Sequence, residues 1–311
     1  MPELSGLNVV VTGGAGFIGS NLAERLSKEN NVTIIDTLHS GSLENLEAIK
    51  DKVTFIKARA GEIEKFAKAP DLIFHLGMYS STPMYREDNM RVAEVVEDSV
   101  RLFRYAADKK VKVVFASSSS IYNGHKMPYR EESFPFVTDF YTEARYFAER
   151  IAELYHNMEG LDAIGLRLFA VYGPHERAKK TFANLVSQFM WSLLEDKPPI
   201  VYGDGTQTRD FTYVDDIVDA FLLATRQSGY DVFNAGTSKN YTMNELVSKL
   251  NAAMGKNIAP KYIETPIKNY VTGTLADTTK SERVLGFKAK VTLDEGIERL
   301  LGYYNYGKGQ Q

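Results

Sequence analysis

Asn8-Val9-Val10-Val11-Thr12-Gly13-Gly14-Ala15-Gly16-Phe17-Ile18-Gly19 is the stretch that decides the fold. Its first five residues form a nearly continuous apolar run, the pattern of a parallel strand covered on both faces. The run breaks directly into Gly13, Gly16 and Gly19, and the amphipathic segment Phe17–Lys28 follows. Glycine has a physical reason at each position. The first permits a tight turn, the second lets a diphosphate approach the backbone, and the third lets helix and strand pack closely. The unpaired N–H groups of Phe17, Ile18 and Gly19 at the helix start then face the phosphates. An ordinary tight βα turn would also use glycine. Here the glycines follow a strand, open a helix and are answered by Asp36 at the end of a second apolar run, Asn31–Asp36. Asp36 stands 23 residues after Gly13, where a carboxylate accepts hydrogen bonds from the adenosine ribose hydroxyls. It would repel a 2′-phosphate, and no Arg lies between Asp36 and Lys50. The expected cofactor is NAD, not NADP.

Working outward, further strand candidates are Val53–Lys57, Asp71–Leu76, Lys112–Ala116 and Ala163–Phe169, alternating with helical stretches Met90–Lys109 and Tyr141–Met158. This rhythm predicts an α/β chain with a Rossmann-like, doubly wound parallel sheet. From about Gly173 the rhythm loosens at Pro174, Pro198-Pro199 and Gly203-Asp204-Gly205. A short strand, Asp231–Asn234, and helices Met243–Met254 and Leu293–Tyr304 fit a smaller C-terminal α/β domain. The expected division is residues 1–170 for the cofactor, with a segment near 205–235 returning to it, and 171–311 mostly for substrate.

The 311 residues carry 37 basic and 40 acidic side chains for a net charge of −3, and 44% are hydrophobic. Such a chain can fill a large core, and its balanced charge argues against nucleic-acid or membrane-surface binding. It contains no Cys, so disulfides and thiolate metal sites are excluded. No spaced histidine set exists, no metal site is expected, and no apolar run reaches the ~18 residues of a membrane span. The N-terminus lacks the features of an export signal. A cytoplasmic protein is expected.

The candidate catalytic residues follow the fifth strand. Ser117-Ser118-Ser119-Ser120 closes it, and Tyr141 and Arg145 share one helical face at i and i+4. Together with His75-Leu76, Leu166-Arg167-Leu168-Phe169, Val171-Tyr172-Gly173-Pro174 and Tyr202-Gly203-Asp204-Gly205-Thr206-Gln207-Thr208-Arg209-Asp210-Phe211, they make the chain resemble the extended short-chain dehydrogenase/reductase family. Within that family it is similar to the nucleotide-sugar epimerases and dehydratases. The resemblance spans nearly the whole chain and implies a Tyr that takes a proton from a sugar hydroxyl. A phenol ordinarily titrates near ~10, too high for a base at neutral pH, and a nearby cation favours the phenolate. By this resemblance Ser118, Tyr141 and Arg145 are catalytic. Ser40, Gly41, Leu76, Gly77, Tyr141, Arg145 and Phe169 join the glycines and Asp36 around NAD. Ser118, Asn184, Tyr202, Arg209 and Lys268 would hold a UDP-sugar.

Departures from the family pattern are equally specific. Its Tyr-x-x-x-Lys is here Tyr141-Thr142-Glu143-Ala144-Arg145, and a planar guanidinium does not replace an ammonium conservatively. Tyr146 and Arg150 repeat the spacing one step round the helix; Tyr141 is preferred because Glu149 then matches a family Glu. The Gly-Asp pair that contacts adenine after the third strand is absent, with Glu62 a candidate replacement. Ala170 stands where the family carries Asn. Arg209 could instead pair with Asp210, Lys268 could be an ordinary solvated lysine, and Asp277 could cap the helix Thr278–Val284. Thr274 would border the hexose pocket. Ser119 and Ser120 occupy the positions where dehydratases and decarboxylases place carboxylates. The resemblance therefore implies epimerisation at C4 of a UDP-hexose through a 4-keto sugar. A net dehydrogenase and a nucleotide-sugar-binding regulator without turnover are the alternatives. A homodimer through Met90–Lys109 and Tyr141–Met158 is also implied.

Overall fold

The computed structural model describes residues 4–265 and 270–306. Seven parallel strands form the central sheet: β1 (Asn8–Thr12), β2 (Asn31–Asp36), β3 (Val53–Lys57), β4 (Leu72–His75), β5 (Lys112–Ser118), β6 (Ala163–Leu168) and β7 (Tyr230–Ala235). Their spatial order is β7-β6-β5-β4-β1-β2-β3, so the order reverses between β1 and β4, the position at which such sheets open a ligand crevice. Successive side chains of each strand enter opposite cores, as the pleat requires. Val9, Val11, Ile34, Phe74, Val114 and Leu166 belong to one apolar cluster, and Val10, Ile35, Ile73, Val113, Phe115 and Ala163 to the other.

The second core is closed by α2 (Arg91–Lys109) and α3 (Phe140–Glu159), which pack side by side. Asp139 caps α3 by accepting the N–H of Thr142 at 2.8 Å, and Gly160 ends it in the left-handed region at φ 73°. The first core is closed by α1 (Phe17–Leu26) and by α5 (Val214–Ala224). It runs on without a break into α4 (Leu185–Leu194), α6 (Met243–Met254) and α7 (Leu293–Tyr303), through Met190, Leu246, Leu250, Ile297 and Leu300. Capping boxes, Thr242 with Glu245 and Thr292 with Glu295, start α6 and α7.

Asp231–Asn234 extends to Tyr230–Ala235 and pairs with β6 along its full length. It is the edge of the main sheet, so it lies with the segment near 205–235 expected to return to the cofactor half and not with the C-terminal helices with which the sequence also groups it. Lys280, from beyond it in sequence, is tied to β7 by a 2.5 Å contact with Asp231. Among the described residues no helix is long and apolar enough to cross a membrane.

Candidate active site

The crevice at the β1–β4 divide is a cleft of about 620 Å³, within the roughly 300–1,000 Å³ range of small-molecule sites. Gly13, Gly16, Phe17, Ile18 and Gly19 line it. Gly13 has φ +70°, and a Cβ there would lie 2.7 Å from the carbonyl of Leu76 and the N of Gly77. A Cβ on Gly19 would come within 2.1 Å of the Gly13 oxygen. No side chain caps α1, so its first N–H groups remain available to an anion. The loop therefore fits a dinucleotide diphosphate on geometry alone.

Asp36 lines the same cleft and is buried. Its two oxygens accept the N–H groups of Ala15 at 3.0 Å and Leu38 at 2.7 Å. Burial raises its pKa, and these backbone donors, with Gly16, oppose the rise. A carboxylate offers about four acceptor positions, so these donors leave Asp36 acceptor capacity at the cleft wall. Ser40, Leu76 and Gly77 also line the cleft. Gly41 does not. It supports the glycine loop from outside, since a Cβ there would meet the Ala15 carbonyl at 2.7 Å. Phe169 is likewise absent from the wall, being fully buried with Tyr122, Tyr129 and Ala276. The wall beside it is made by Leu168, Ala170 and Val171.

Ser118 ends β5, and its Oγ accepts the N–H of Ser120 at 3.1 Å, which leaves its own proton free to donate into the cleft. Tyr141, in the first turn of α3, and Arg145, one turn on, line the cleft with it; Tyr146 and Arg150 do not. Arg145 is 4% exposed. It donates to the carbonyl of Ala116 at 3.0 Å and of Tyr79 at 2.8 Å, and its guanidinium lies 5.2 Å from the Tyr141 ring centroid. Its Nε finds no partner among the described residues. The cation is thus both a neighbour of the phenol and a brace between β5 and the segment after β4. Beneath this corner, Glu149 accepts from Ser117 Oγ at 2.5 Å and pairs with buried Arg167 at 2.7 Å, fixing the end of β5 from behind. His75 is fully buried with its pKa lowered to about 3 by burial and then by the Arg145 charge. Its ring is neutral and bonded to Thr12 Oγ1 at 2.8 Å.

Of the expected substrate residues, Asn184 lines the cleft, though its Oδ1 is engaged as the cap of α4. Tyr202 and Arg209 are not in its wall. They lie together against Tyr270, with ring centroids 5.8 Å apart for the tyrosines and the guanidinium 5.3 Å from the Tyr270 ring. Arg209 forms no pair with Asp210, whose carboxylate is spent on Thr237, Ser238 and Ala276. Arg209 has no carboxylate partner among the described residues, and burial lowers its pKa. Lys268 lies outside the described residues. Thr274 turns from the cleft and accepts the Asp210 N–H at 3.2 Å. Asp277 accepts the N–H of Thr279 at 3.0 Å at the start of Thr279–Leu285 and also binds Arg130. Glu62 is outside the cleft, held by Lys65 and the Arg59 N–H.

The lining side chains that sequence reasoning passed over include His39, Tyr79, Arg59, Glu94, Asp98 and Lys179. The rings of His39 and Tyr79 meet edge to face at 4.8 Å, and Tyr79 donates to Glu94 at 2.7 Å. Lys179 lies 5.5 Å from the ring of Phe17. No local pattern marks them, because each depends on loops that meet only in the fold. Among the described residues no three His, Asp or Glu side chains converge to hold a metal ion.

The model of the NAD dependent epimerase/dehydratase family matches residues 9–236. The UDP-glucose 4-epimerase of Mycolicibacterium smegmatis is 31% identical, over 96% of this chain and 98% of that protein. The UDP-glucuronic acid decarboxylase 1 of Arabidopsis thaliana is 28% identical, over 95% of this chain and 69% of that one. Among solved structures, the UDP-N-acetylglucosamine 4-epimerase from Methanobrevibacter ruminantium, in complex with UDP-N-acetylmuramic acid, superposes with a TM-score of 0.91. It is 31% identical and covers 97% of this chain and 99% of that chain.

Proposed function

Because the chain belongs to the NAD dependent epimerase/dehydratase family, we propose that it inverts the C4 configuration of a UDP-hexose. NAD is its cofactor, and the glycine loop, the start of α1 and Asp36 would hold it. When bound, NAD supplies a reversible hydride acceptor. Tyr141 takes the proton of the C4 hydroxyl, and Ser118 donates a hydrogen bond to the same oxygen. The Arg145 guanidinium, 5.2 Å from the ring centroid, sets a fixed cation beside the phenol that makes that transfer. The sugar must then turn so that its other face is presented.

The observation that carries this reading is the lack of a free carboxylate at the catalytic corner. Ser119 lines the cleft after Ser118, with no acid beside it among the described residues. Among the described residues, the acids lining the cleft are Asp36, Glu94 and Asp98. Each is already engaged, by Leu38 and Ala15, by Tyr79, and by Arg59 respectively. Elimination of water needs further acid and base groups at the sugar, whereas inversion needs only the phenol, the hydroxyl and the cofactor. Arg209, a half-buried cation without a carboxylate partner among the described residues, supports a diphosphate on the substrate, since phosphate oxygens match guanidinium donors.

The test is to incubate the protein with UDP-glucose, UDP-N-acetylglucosamine and UDP-glucuronate and read the products by NMR. A C4 epimer should form without net reduction of NAD, and Tyr141→Phe should bind substrate yet lose most turnover. Carbon dioxide release, an eliminated sugar or stoichiometric NADH would defeat the assignment.

A further inference from the structure

Past Asp36 the cleft continues to the end of β3. Ala58 and Ala60 after that strand and Val95 of α2 give it apolar walls, and Arg59 with Asp98 give it a polar edge. Diphosphate at α1 and ribose at Asp36 leave this end for the base. The Gly-Asp pair expected after β3 is missing from the sequence, and Glu62 does not reach the cleft.

The two side chains are arranged as one unit. Arg59 Nε donates to Asp98 Oδ2 at 3.3 Å, and Nη2 lies 3.1 Å from Oδ1. Nη2 also meets Glu97 at 3.1 Å and the Glu94 carbonyl at 3.1 Å. No hydrogen bond is formed by Nη1 to any described residue. Gly61 is packed so closely that a Cβ would meet Asp98 Oδ1 at 2.6 Å. The pair is therefore fixed from both sides and presents a carboxylate acceptor beside a guanidinium donor. The Watson–Crick edge of adenine presents the inverse pattern, the N6 amine beside the N1 acceptor.

We propose that Arg59 and Asp98 together read the adenine of NAD, Asp98 accepting from N6 and Arg59 donating to N1. The recognition edge comes in part from α2, across 39 residues of sequence. The inference rests on NAD as cofactor and not on the sugar reaction, so the two can fail separately.

The test titrates the full chain with NAD and with 1,N6-etheno-NAD, in which both edge positions are tied into an extra ring. The unaltered protein should bind the etheno compound about tenfold or more weakly, the discrimination expected of a bidentate base contact. Asp98→Ala should weaken NAD and shrink that ratio to near one, while leaving the affinity for nicotinamide mononucleotide unchanged. Arg59→Gln should shrink the ratio in the same direction and serves if Asp98→Ala fails to fold. Equal binding of the two dinucleotides by the unaltered protein would overturn the proposal. So would a ratio that survives in a folded Asp98→Ala, because the cleft would then be excluding bulk and not reading an edge.

Discussion

Replacing Arg145 by Lys separates two duties of one side chain. The guanidinium spans the carbonyls of Ala116 and Tyr79 at 3.0 and 2.8 Å while facing the Tyr141 ring. A lysine has a single nitrogen at the end of its stem and cannot hold both carbonyls in that geometry. One buried acceptor left without a donor costs about 1–3 kcal/mol. Losing the planar cation over Tyr141 adds about 0.5–1 kcal/mol. The expected destabilisation is roughly 1.5–4 kcal/mol, a fall in Tm of about 3–16 °C at ~2–4 °C per kcal/mol. Calorimetric melts of the unaltered chain, Arg145→Lys and Tyr141→Phe are the assay, with Tyr141→Phe expected near the unaltered value because its hydroxyl makes no bond to another described residue. Turnover retained in Arg145→Lys despite the lower Tm would show that charge alone serves the chemistry. A Tm unchanged within about 1 °C would refute the brace.

Three further outcomes are expected. Asp36→Ala removes the acceptor for a ribose and strands the N–H groups of Ala15 and Leu38; NAD affinity should fall about tenfold to a hundredfold and the preference against NADP should narrow. Equal affinity of the unaltered protein for both cofactors would remove that basis. His75 keeps a neutral ring with its pKa lowered to about 3, so below pH ~6.5 the unfolded chain takes a proton that the folded chain refuses, and stability falls with acid by about 2 kcal/mol at pH 5. Urea unfolding at pH 7 and pH 5 should show His75→Asn losing that much less; identical losses would contradict the linkage. A homodimer through α2 and α3 is expected, for which Leu154 and Met158 of α3, 44% and 78% exposed, offer apolar surface; light scattering at micromolar concentration should give twice the chain mass, and Leu154→Glu with Met158→Glu should halve it. A monomeric mass for the unaltered chain would exclude this arrangement as a stable state.

The parts legible in the sequence are those whose cause is local. A strand, three glycines and a helix adjoin between Asn8 and Leu26, so the loop chemistry can be read without knowing the fold. Tyr141 and Arg145 share a face because a helix repeats every 3.6 residues. Phe169 misled because β6 ends at Leu168 and the next side chain packs with Tyr122 and Tyr129, which come from a distant loop. Glu62 misled because proximity in sequence to the missing Gly-Asp pair suggested it, whereas the acid that reaches the cleft is Asp98 on α2. Tyr230–Ala235 was hard to place for a similar reason. Six residues of strand carry no mark of which sheet edge will accept them, and β6 is the edge left open.

That late arrival has a cost in time. β6 is complete at Leu168, but its outer partner is not synthesised until residue 235. At ~5–20 residues per second, translating the intervening stretch takes roughly 3–13 s. Throughout that interval Ala163–Leu168, apolar but for Arg167, presents a row of unpaired N–H and C=O groups. The nascent chain is most exposed to mispairing with its neighbours on a polysome at this stage. A ribosome pausing between residues 170 and 230 would prolong that exposure.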